Sequence, residues 1–164
     1  MRPLVLPNSA EPPKGAVHPL IIHERRGHWV RQVRPRVVGW PVQVVETRST
    51  SDLVAALDGS ACPLVVIDLA ERVRLALDDL DQAVRIAPCA LVLVLDPAEH
   101  CGVVPIAREL GATHVLTGVI NPPDVMALLA RWVPLARRRA EADGWVKIPL
   151  PEPPFWEQLA AAGR

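Results

Sequence analysis

Tyrosine is missing from this 164-residue chain, and phenylalanine and methionine are nearly so, with one and two copies. Five tryptophans are the remaining aromatic supply, so any core must be built from Val, Leu, Ile and Ala. Hydrophobic residues still make up 50% of the chain, enough for one substantial core. The length suits a single domain with tails. A charge excess is lacking too. Lys and Arg number 18, Asp and Glu 18, and the formal net charge is zero. That removes a global field drawing the chain to nucleic acid or membrane. Lysine is confined to Lys14 and Lys147, and the basic residues are otherwise arginine.

Cysteine is scarce and odd in number. Cys62, Cys89 and Cys101 show no C-x-x-C spacing. A disulfide framework and a thiolate zinc site are therefore not indicated. Cys62 and Cys89 precede apolar stretches and are expected to be small buried residues. No apolar run approaches bilayer length, and the N-terminus shows no apolar region of signal-peptide type. A cytoplasmic protein without membrane contact is expected. The glycine patterns of dinucleotide-binding and phosphate-binding loops are absent as well.

What the chain does contain is a series of short apolar runs. The clearest is Leu64-Val65-Val66-Ile67 running into Asp68. A continuous apolar run of this length reads as a central strand buried on both faces, the usual state in a parallel sheet. Similar strands are expected at His18–Ile22, Val42–Glu46, Ala90–Leu95 and His114–Leu116. Helical spacing separates them. Trp29, Val30, Val33 and Val37 mark a first helix, shortened or kinked by Pro35. Asp52 to Leu57 is a second, with its cap in the polar stretch before it.

The third helix is the most regular. Val73, Leu77, Leu80 and Val84 define its apolar stripe, and Asp78, Asp79, Asp81 and Arg85 are expected to face out. A short fourth helix runs from Val103 to Leu110, with Gly111 closing it. Asn121-Pro122-Pro123 starts the fifth, where Val125, Leu128, Leu129, Trp132 and Val133 form the apolar face. Pro134 is expected to kink it before Arg137-Arg138-Arg139.

Five strands alternating with five helices predict an α/β domain, a parallel sheet covered on both faces through right-handed crossovers. The domain should span residues 18–143. Residues 1–17, with four prolines, read as a leader. Residues 144–164 form a proline- and aromatic-rich tail, in which Phe155 and Trp156 are candidate interaction residues, docking either on this domain or on a partner.

Val66-Ile67-Asp68 at the end of strand three, and Glu109-Leu110-Gly111-Ala112-Thr113-His114-Val115 entering strand five, give the chain a family likeness. Over roughly Leu20 to Arg139 it resembles the receiver domain of two-component response regulators. The resemblance implies a flavodoxin-like, doubly wound sheet in the order 2-1-3-4-5. It implies that Asp68 stands at the phosphoacceptor position. His23-Glu24 falls on the acidic pair that helps bind magnesium in receivers, and only Glu24 is acidic. The hydroxyl position falls on Leu95, with Asp96 beside it. The lysine position falls on Gly118, and no Lys or Arg stands near it in sequence. Phosphoryl transfer depends on positioning and on neutralising charge spread over the equatorial oxygens. A chain without the cation and the hydroxyl is therefore expected to be a degenerate pseudo-receiver.

Other readings of the same edge stay open. Glu24, Asp68 and Asp96 all end strands and are expected to converge, where they could hold Mg²⁺ with a backbone carbonyl such as that of Ala70. The alternative is that Asp68 and Asp96 cap loops. His23, His100 and Cys101 belong to that edge but match no metal signature. Arg25, Arg26, Arg31, Arg34 and Arg36 form a basic stripe. It is read as a solvated face, because only Trp29 interleaves with it and Trp29 is expected to pack inward.

The expected function is non-enzymatic: a signalling module acting through an unidentified protein partner or a second copy of itself, with helix four, strand five and helix five as the contact face. Alternatives are an ordinary phospho-accepting regulator using Asp68, and a small nucleotide- or metal-binding flavodoxin-like protein.

Overall fold

A computed structural model describes residues 17–142 of the chain. The leader up to residue 16 and the tail from residue 143, with Phe155 and Trp156, lie outside the described residues. The elements are β1 (His18–His23), α1 (His28–Val33), a 3₁₀ turn (Arg34–Arg36), β2 (Val42–Thr47), α2 (Thr50–Leu57), β3 (Leu64–Asp68), α3 (Val73–Ile86), β4 (Leu91–Asp96), α4 (Val103–Glu109), β5 (His114–Thr117) and α5 (Pro122–Ala142). The five strands form one parallel sheet in the order β2-β1-β3-β4-β5.

Strand alternation sorts the apolar runs into two cores. Ile21, Val65, Ile67, Val92 and Val94 face α2, α3 and α4, where Leu53, Leu57, Leu80 and Ala107 cover them. Leu20, Ile22, Leu64, Val66, Leu91, Leu93 and Leu95 face α1 and α5, against Trp29, Val33, Leu129 and Trp132. Successive strand residues point to opposite faces. A run such as Leu64–Ile67 is therefore apolar throughout because both of its faces are covered. Each fully buried Leu, Ile or Val removes enough apolar surface from water to contribute roughly 1.5–3 kcal/mol.

Local chemistry sets the ends of the helices. Pro35 lacks an amide, so α1 stops at Val33 and the chain tightens into a 3₁₀ turn. Ser49 and Asp52 form a reciprocal capping box, so the cap lies in the expected polar stretch and α2 starts at Thr50, two residues before the expected Asp52. Gly111 has φ +101, and a Cβ there would lie 2.9 Å from Val84 Cγ1, so only glycine lets the entry to β5 approach α3. Helix α5 carries Pro134 within it and continues past the three arginines to Ala142.

One expectation about α3 is corrected. Its buried residues are Ala76, Asp79, Leu80 and Ala83, while Val73, Leu77 and Val84 pack only partly against the core. The stripe is rotated by about one position, and Asp79, expected outside, is buried. Cys62 is buried as expected; Cys89 is half-buried.

Candidate functional site

The carboxyl ends of β1 and β3 deliver Glu24 and Asp68 to one small cleft, which Arg25, Arg26, Glu71 and Arg72 also line. Its volume is about 20 Å³, room for roughly one water molecule. Asp68 is half-buried, and its Oδ1 accepts the Ala70 amide at 3.1 Å. Burial pushes its carboxyl above the ordinary value. The Ala70 hydrogen bond and His28 oppose that shift, and the negative charges of Glu24 and Glu71 reinforce it.

Glu24 is buried beneath this cleft with a task of its own. Its Oε2 accepts the Trp29 amide at 2.8 Å and its Oε1 accepts the Val30 amide at 2.6 Å. Those amides open α1 and have no partner within the helix. Glu24 thus ties β1 to α1, and both of its oxygens are engaged.

Asp96 does not join the other two carboxylates. By strand alternation it shares a face with Val92 and Val94, towards α3 and α4, whereas Asp68 shares a face with Leu64 and Val66, towards α1 and α5. The residue paired with Asp68 across the sheet is Leu95. Asp96 is fully buried and turns into its own loop, accepting the His100 amide at 2.8 Å and meeting His100 Nδ1 at 2.6 Å.

The expected convergence of Glu24, Asp68 and Asp96 is therefore corrected. Among the described residues, no group of three or more His, Cys, Asp and Glu side chains is arranged to hold a metal ion. The carboxylates present do not fit a magnesium site built from all three.

His23 points to the opposite side of β1 from Glu24. Its Nε2–H donates to Asp79 Oδ2 at 2.9 Å and its Nδ1 meets the Thr47 hydroxyl at 2.9 Å. Asp79 Oδ1 accepts the Thr50 hydroxyl at 2.6 Å. This network joins β1, β2, α2 and α3 directly beside the Asp68 cleft, which His23 and Asp79 also line. Sequence reasoning missed Thr47, Thr50 and Asp79. A signal existed, since Asp79 lies three residues after Ala76 and four before Ala83, the spacing of one helix face.

The basic stripe is exposed except for Arg25, which is half-buried. Arg26 pairs with Glu71, and Arg36 donates to the Gln32 carbonyl and side chain. Trp29 packs inward. Gly118, where the resemblance sets the receiver lysine, has φ +74, and the carboxylate of Glu99 lies against it.

Comparisons with known proteins bear on the fold alone. Neither a scan of protein-family models nor a search of curated proteins finds a match. Solved structures do match. A CheY-like response regulator receiver domain from Methanospirillum hungatei JF-1 is 10% identical, with a TM-score of 0.65, covering 75% of this chain and 98% of that one. A Burkholderia pseudomallei response regulator, solved with a phosphorylated aspartic acid, a calcium ion and citrate, is 14% identical with a TM-score of 0.60, covering 88% of this chain and 82% of that one. An adenylate cyclase from Rhodopirellula baltica is 12% identical with a TM-score of 0.65, covering 77% of this chain and 95% of that one. Receiver domains recur among the similar structures. The chain has the flavodoxin-like fold of CheY-like receivers. No helix among the described residues is long and apolar enough to cross a membrane.

Proposed function

We propose that this chain is a receiver-like signalling module that works through protein contacts, without ordinary aspartyl phosphorylation as its switch and without resident Mg²⁺. The observation that carries this reading is the company Asp68 keeps. The residue paired with it is Leu95, which offers no hydroxyl. The loop after β5 offers Gly118 and no cation, and no lysine occurs anywhere among the described residues. A phosphoryl group adds about −1.5 to −2 charge at neutral pH. Here it would enter a cleft that already holds Glu24 and Glu71, with Arg26 already paired.

The contact face is α4, β5 and α5. Ile106 and Val119 support that choice, since they stand 45% and 91% exposed on α4 and on the loop before α5. The partner is a protein, including a second copy of the chain, in the cytoplasm, and the module is not an enzyme. Nucleic acid is disfavoured by the zero net charge and by the tying of Arg26 and Arg36. Nucleotide binding in the Asp68 cleft is disfavoured by its size, about 20 Å³, where ligand pockets start at roughly 300 Å³.

One observation favours an ordinary phospho-accepting regulator instead. Arg26 and Arg72 line the Asp68 cleft and carry the charge that lysine supplies in receivers. The deciding experiment is incubation with acetyl phosphate and Mg²⁺, read by intact mass. The proposal expects no stoichiometric adduct. Stoichiometric labelling that disappears in Asp68→Asn would overturn it and establish the phospho-accepting reading.

A further inference from the structure

We propose that the C-terminal segment, residues 143–164, docks in cis in the groove between α2 and α3. The groove has a volume of about 880 Å³, and its walls include Val54, Ala55, Leu75 and Ile86. Leu75 and Ile86, both large aliphatic side chains, are 40% and 38% exposed there. A lining this apolar suits an apolar segment.

The position where the described chain stops identifies the occupant. The groove continues at Asp58 and Ile86 into a second hollow of about 330 Å³ lined by Gly59, Pro88 and Cys89. Near the end of α5, the Arg139 side chain donates at 3.4 Å to the carbonyl of Cys89, which lines this hollow. The described part of α5 stops three residues later, at Ala142. The following residues therefore start beside one end of the groove.

Their chemistry and length fit. Trp145, Ile148, Leu150, Phe155 and Trp156 supply the apolar side chains. The intervening prolines favour the extended polyproline form, which loses little entropy on docking. From Leu75 to Ile86 the groove follows about 16 Å of helix. Residues 143–156 can span up to about 46 Å when extended, enough to cross the hollow and run the groove's length. The N-terminal segment, residues 1–16, has no aromatic residue to offer.

At its far end the groove is lined by Arg25, which also lines the Asp68 cleft. Glu157, directly after Trp156, is the complementary charge. The docked segment would then end beside the cleft. The inference does not depend on whether Asp68 is phosphorylated.

The test uses the full chain with 5-fluorotryptophan, read by fluorine NMR, with Trp156→Phe assigning the Trp156 resonance. In the native chain that resonance is expected away from its denatured position. Leu75→Arg or Ile86→Arg should return it there, with circular dichroism confirming that the domain stays folded. Val38→Arg, on an exposed residue beside α1, should leave it in place. The proposal is overturned if neither groove variant moves the resonance, or if Val38→Arg moves it instead. A native shift that fades on dilution would also overturn it, by assigning the groove to a second copy.

Discussion

The imidazole of His23 and the carboxylate of Asp79 meet at 2.9 Å with both side chains buried. Fifty-six residues separate them in sequence, so the contact fixes how α3 sits on β1. Asp79→Ala would leave the His23 N–H and the Thr50 hydroxyl without their acceptor, at about 2–3 kcal/mol of stability. A double-mutant cycle with His23→Ala should return a coupling of about 1–3 kcal/mol. Additive losses in urea denaturation would show that the pair merely coexists.

This contact also marks the boundary of what could be read in the sequence. The strands and the two-faced core were legible because Leu64–Ile67 and Leu91–Leu95 are apolar throughout, whereas the strand order was what the receiver resemblance implied. The position of Asp68 followed from them. Asp79 was not legible, because it sits in an acidic stretch, Asp78-Asp79-Leu80-Asp81, that resembles a solvated face. Only a partner on a distant strand makes its burial favourable, and helix periodicity carries no information about partners. Asp96, which does not join Glu24 and Asp68, failed for a related reason. The end of a strand locates a residue along the sheet, but the parity of the strand decides which face it serves.

Glu24 should behave as a structural carboxylate. Glu24→Ala exposes two buried amides of α1 and should lower stability by about 2–4 kcal/mol. Glu24→Gln keeps one acceptor oxygen and should lose less than half as much. The comparison is read from urea midpoints at unchanged m-value. Equal losses in the two variants would mean that charge, not the paired hydrogen bonds, is what Glu24 contributes.

His18 introduces a pH dependence. It is buried at the start of β1, and its Nε2–H donates to the Cys62 carbonyl at 2.6 Å. Burial pulls its pKa below the ordinary histidine value of 6.5, the Cys62 hydrogen bond opposes this, and Arg137 adds to it. As pH falls, the unfolded chain therefore takes up this proton before the folded one does. The stabilisation that neutral His18 provides is complete above about pH 6.5 and declines from there down through the lowered folded value. His18→Gln should flatten that part of the stability–pH curve. The check is a set of thermal melts of both chains from neutral to mildly acidic pH. Parallel curves would remove His18 as the source.

Asp68 gives the opposite sign. Burial raises its carboxyl above the ordinary aspartate value of 3.8, with Glu24 and Glu71 adding to the shift. The folded chain thus holds this proton to higher pH than the unfolded chain. Ionised Asp68 costs stability, and the cost grows as pH rises from about 3.8 through the raised folded value. Asp68→Asn keeps an oxygen for the Ala70 amide and removes the charge. It should raise the melting temperature at neutral pH and lose that advantage in acid. A switch aspartate held beside a resident cation would behave differently, because the charge would be compensated and its removal would leave the cation unpaired. Destabilisation of Asp68→Asn at neutral pH would therefore argue for an ordinary receiver site. Stabilisation that builds from about pH 3.8 and is complete above the raised value fits a carboxylate whose burial the cleft's arginines do not offset.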